Sequence, residues 1–189
     1  MILSIKALFI FINVLIAVYD FSFYRIPNLF LIGLLVLFGL TAPFTLGLNE
    51  IVNSFITFGA VFLVCLILFL TKIFGAGDAK YFAVIALWMG YPDVIPFVLY
   101  TSIAGGGLAL IYVIAQYPFS RLSDLTWMLI QKLEARIPLL ESIWIGSGIG
   151  PEKGKREHIK PKTIPYGVAI ATGAIIMMFS GLEMGEIIR

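Results

Sequence analysis

Asp20 and Asp78 are the residues whose type and setting best fit them for chemistry. Asp20 follows Tyr19 at the end of the first long apolar run, and Asp78 follows Gly75-Ala76-Gly77 at the start of the fourth. Ionisable groups at the edge of a membrane segment are costly and tend to be functional. Two carboxylates at the same depth can meet if their helices pack together. Close like charges disfavour double ionisation, so such a pair shares one proton. One carboxylate then takes a proton from water while the other protonates a carbonyl oxygen. The glycines ahead of Asp78 let the backbone bend, so that an extended chain can lie beside the carboxylate. A helix start favours negative charge and a helix end disfavours it, which makes Asp78 the expected resting base and Asp20 the resting acid. The competing reading is that both are interfacial anchors, Asp20 paired with Arg25 and Asp78 with Lys80. Asp93, between Pro92 and Pro96, is expected at the opposite membrane face.

Other chemistries find little support. Cys65 is the single cysteine and His158 the single histidine, which argues against a disulfide within the chain, a Cys-x-x-Cys zinc site or a histidine triad. A net charge of +2 gives no reason to expect a nucleic-acid partner. No metal or organic cofactor is expected for a carboxylate pair.

The elements that must position the aspartates are apolar helices. The chain has 189 residues, 60% of them hydrophobic and 13% charged, with a mean hydropathy of +1.02. That composition predicts an all-α, polytopic membrane protein of one domain, 1–189. Six segments can be drawn, at 2–19, 29–48, 51–70, 79–89, 94–115 and 164–182. The first lacks a small-residue cleavage site and reads as a retained helix, not a signal peptide. The fourth is short, and is expected as a helix surrounded by the others.

Lysine and arginine fall unevenly between the spans. Of the 13, all but Lys6 and Arg189 lie in or beside the first, third and fifth loops. The positive-inside rule puts those loops in the cytoplasm, and both termini outside. The fifth, 116–163, divides in two. In 120–143, Leu122, Leu125, Leu129, Leu133, Ile137 and Leu140 recur at helical spacing among charges, which predicts an amphipathic helix on the inner leaflet. Residues 146–162, rich in Gly, Lys and Pro, read as a linker. The basic loop is expected to bind anionic membrane lipid.

Gly75–Asp78 matches the GxGD motif of membrane aspartyl proteases. Asp20 with Arg25-Ile26-Pro27-Asn28 resembles the first catalytic region of the bacterial type IV prepilin peptidases. Lys80 and Ile164-Pro165-Tyr166-Gly167-Val168-Ala169-Ile170 also look like that family. The resemblance implies an aspartic endopeptidase with Asp20 and Asp78 catalytic. Gly75, Gly77, Lys80, Pro27 and Asn28 would support them. Pro27 and Asn28 also suit a simple helix start, and Lys80 a phosphate-level anchor. Phe74, Tyr81 and Trp88 read as packing. The implied setting is the bacterial inner membrane, with the active site facing the cytoplasm. The implied partners are a prepilin substrate, membrane lipids and pilus-assembly proteins. The sequence is most similar to the short form serving tight-adherence (Flp-type) pili, and methylation of the mature pilin is not expected. The rival readings are another GxGD intramembrane protease, a small proton- or cation-coupled transporter using the same aspartates, or a non-catalytic assembly subunit.

Overall fold

The computed structural model describes residues 2–114 and 164–187, and among these all regular structure is helical. The helices are α1 (Ile2–Phe23), α2 (Asn28–Thr45), α3 (Leu48–Leu70), α4 (Ala76–Met89), α5 (Val94–Ile114) and α6 (Tyr166–Ile187). Four of them, α1, α2, α3 and α5, are long and apolar enough to cross a membrane. Their outward faces carry large apolar side chains such as Ile32, Phe55, Ile56, Leu63 and Ile103. A continuous exterior of that kind is stable against lipid, not water. The helices therefore form a membrane-embedded bundle.

At 14 residues, α4 rises only about 21 Å, less than the ~30 Å hydrocarbon core. It survives because it is the centre of the bundle. Ala79, Tyr81, Ala83, Val84, Ile85, Ala86 and Leu87 are all buried, and α2, α3, α5 and α6 pack around it. Tyr81 and Ile85 join Phe9 and Ile16 of α1, Leu31 and Leu34 of α2, Phe97 of α5 and Ile170 of α6 in one core. The Trp88 indole N–H donates to the Leu34 carbonyl at 3.2 Å, and its ring packs on Phe9 and Phe38.

Several helix ends differ from those expected. α1 runs on through Asp20 to Phe23, because Phe21-Ser22-Phe23 continues the apolar helix and Tyr24 then closes it in a left-handed conformation (φ 52°). Asp20 therefore stands inside the last turn and does not end the helix. α4 begins at Ala76, capped by Gly75, so Asp78 is its third residue. α2 stops at Thr45 and α3 begins at Leu48, with Gly47 as the turn between them. α6 begins at Tyr166, after Pro165. The amphipathic helix expected at 120–143 and the linker at 146–162 lie outside the described residues.

Candidate active site

Asp20 and Asp78 reach the same end of the bundle from α1 and α4. Asp20 is buried, and Asp78 is half-buried. The two carboxylates lie close enough for their charges to interact. Asp93 stands beyond the other end of α4, exposed. Among the described residues, the groups acting on Asp20 are Asp78 and the backbone amides of Gly167 and Val168. Arg25 is not among them, and no ion pair joins Asp78 to Lys80, which is exposed. The anchoring pairs that the sequence also allowed do not form.

The start of α6 fixes Asp20. The Gly167 N–H donates to Asp20 Oδ2 at 2.7 Å, and the neighbouring Val168 amide adds to the favourable field there. Amides in the first turn of a helix have no partner within it, so a carboxylate from another helix can satisfy them. Gly167 is required by the closeness of this approach. A Cβ there would lie 2.7 Å from Oδ2, 2.8 Å from Cγ and 3.0 Å from Cβ of Asp20. The end of α1 and the start of α6 thus act on Asp20 with opposite sign. Helix polarity alone therefore does not make Asp20 the resting acid.

Asp78 is held differently. Its carboxylate folds back over the α-carbon of Gly75, where a Cβ would meet Oδ2 at 2.7 Å. Gly77 faces the α1–α2 turn, and a Cβ there would meet Ile26 Cβ at 3.6 Å, an ordinary contact. The GxGD turn and the Arg25–Asn28 stretch therefore touch at Gly77 and Ile26. Pro27 is buried at the start of α2 with φ −63°, while Asn28 is exposed as its first residue. Two different results should follow. Gly75→Ala should push the Asp78 carboxylate aside and cost activity about tenfold or more. Gly77→Ala should stay within about threefold of the parent, since its methyl meets only an ordinary apolar contact. Peptide-cleavage rates at matched protein levels check both.

Aromatic side chains border the site. Phe74 packs on Phe82 and on Tyr166, the exposed first residue of α6. The Tyr24 amide donates to the Asp20 carbonyl at 2.8 Å. Burial first, then Tyr112 and Asp20, push the Tyr24 phenol up. Among the described residues no group of three or more His, Cys, Asp or Glu gathers as metal ligands would.

Reading the residues alone missed two features. One is the amide of Gly167 as the group that fixes Asp20; the Pro165-Tyr166-Gly167 helix start was its signal. The other is Asn13, which meets the Tyr81 hydroxyl within the core. Asn13 had a signal too, as a polar residue in an otherwise apolar run.

A family model described as the type IV leader peptidase family matches residues 7–110, a stretch that contains both aspartates. The chain belongs to the type IV leader peptidase family. Membership makes it a protease of the leader-peptidase type, as the GxGD and Arg25–Asn28 motifs implied. No curated protein and no solved structure matches the chain. The matched stretch ends before α6, so the contact between Gly167 and Asp20 stands on the geometry of this structure.

Proposed function

We propose that this protein is an aspartic endopeptidase that removes the leader peptide from a prepilin at the cytoplasmic face of the bacterial inner membrane. The observation that carries this reading is the convergence of Asp20 and Asp78 at one end of the bundle, with the Gly167 amide fixing the first of them. The pair holds a water between its carboxylates. The ionised carboxylate takes a proton from that water as its oxygen attacks the scissile carbonyl carbon. The protonated carboxylate gives its proton to the carbonyl oxygen. The tetrahedral diol then collapses, the C–N bond breaks and the leaving nitrogen takes a proton back from the pair. One water is consumed, and the products are the leader's new carboxylate and the pilin's new amino terminus.

The substrate class is a short basic leader followed by an apolar helix. The apolar exterior of the bundle gives that helix a lipid-like surface to lie against. The cytoplasmic placement rests on the basic residues Arg25, Lys72 and Lys80 at the end of the bundle that holds the aspartates. The short tight-adherence type of pilin is the preferred substrate.

The test is mass spectrometry of a prepilin inserted into lipid vesicles with the purified protein. A single cut between the leader and the apolar helix is expected. A prepilin that stays intact, or cuts scattered within its apolar helix, would overturn the reading.

A further inference from the structure

Tyr81 and Asn13 form a buried polar pair that the cleavage steps above do not use. Both are fully buried, in a core otherwise made of aliphatic and aromatic groups. The Tyr81 hydroxyl donates to Asn13 Oδ1. The Asn13 side-chain amide in turn donates to the Phe9 carbonyl at 2.8 Å. The chain of donors therefore has one direction, and it leaves the phenol oxygen only lone pairs to offer any further neighbour.

Position gives the pair its meaning. Asn13 lies two helical turns before Asp20 on α1, and Tyr81 lies one turn after Asp78 on α4, so each shares a helix face with an aspartate. The backbones of α1 and α4 make few close approaches. The gap between them is bridged by the long Tyr81 side chain. A buried polar link is costly unless it is complete, and a complete one fixes a single arrangement of its helices.

We propose that Tyr81 is a positioning residue for the aspartyl pair. Bonded to Asn13, it fixes the register of α4 against α1, and with it the placement of Asp78 opposite Asp20. This inference rests on the aspartyl-protease reading.

The experiment compares the parent protein with Tyr81→Phe, Asn13→Leu and the double variant, all reconstituted in lipid with a prepilin. It reads kcat and KM per folded molecule, the pH profile of kcat, and the unfolding midpoint. Each single variant leaves one buried polar group unpaired and should lower the midpoint. The double variant removes both groups and should recover much of it. The proposal expects kcat to fall at least about tenfold in Tyr81→Phe and in the double variant. KM should stay within about threefold, and the pH profile should shift, because the separation of the two carboxylates sets how they share a proton. If kcat per folded molecule and the pH profile of the double variant match the parent, the pair is merely structural and the proposal is overturned. Asp20→Asn and Asp78→Asn run alongside. If those two abolish cleavage while the double variant retains it, only this inference fails. If they still cleave, the aspartyl reading itself fails.

Discussion

Gly167→Ala should cut leader removal by about 100-fold or more while the helices remain folded. The new methyl would overlap Oδ2, Cγ and Cβ of Asp20. Oδ2 is the free end of a side chain and can swing away. Cβ is fixed to the last turn of α1, so rotation alone does not relieve the clash. The carboxylate must leave the Gly167 amide, and α1 or α6 must shift by a few tenths of an ångström. Misplacing a catalytic group by about 1 Å is enough to cost roughly 10²-fold in rate. Gly173→Ala is the contrasting change. Its methyl would strike the Thr101 hydroxyl and approach the Thr101 backbone nitrogen at 3.0 Å, forcing α5 and α6 apart. That variant should lose thermal stability, since overpacking a close helix contact is destabilising. Cleavage rate and unfolding midpoint measured on both variants separate the two effects. Equal activity losses at equal stability losses would mean that Gly167 is only a packing glycine.

This expectation could not have come from the sequence by periodicity or spacing. Gly167 and Asp20 are 147 positions apart, and their bond is a backbone amide meeting a side chain. The Pro165-Tyr166-Gly167 helix start signals free amides, but not which carboxylate meets them. What was legible was the part with local causes. The apolar runs predicted helices; the glycines ahead of Asp78 were read as room for an extended chain, whereas in the structure Gly75 gives room to the Asp78 carboxylate itself. The helix ends were less legible, because Ser22 and Tyr24 gave no strong stop after Asp20. The short fourth segment was read as a helix surrounded by others, and its burial among α2, α3, α5 and α6 has that form. Tyr81 was read as packing, and it does pack. The positioning role proposed for it depends on Asn13, a lone polar residue inside an apolar run whose partner lies 68 positions away.

The second large effect concerns the aspartates themselves. Asp20→Asn and Asp78→Asn keep the size of each side chain and remove the group that titrates. Asparagine at 20 can still accept the Gly167 amide through its carbonyl oxygen, so the helices should hold their places. General acid–base catalysis by a positioned group supplies roughly 10²–10⁴-fold, and each single change should cost at least that much. In the proposed mechanism the carboxylates work on one water, so their losses should not add. The double variant should be no slower than the worse single variant, within error. Asp93→Asn, beyond the far end of α4, should process normally.

The most direct measurement is leader removal from a prepilin in membranes that contain each of these variants at matched levels. Processing should be lost in Asp20→Asn, in Asp78→Asn and in the double variant, and retained in Asp93→Asn. Full processing by either Asp20→Asn or Asp78→Asn would contradict the assignment of these two residues as the catalytic pair.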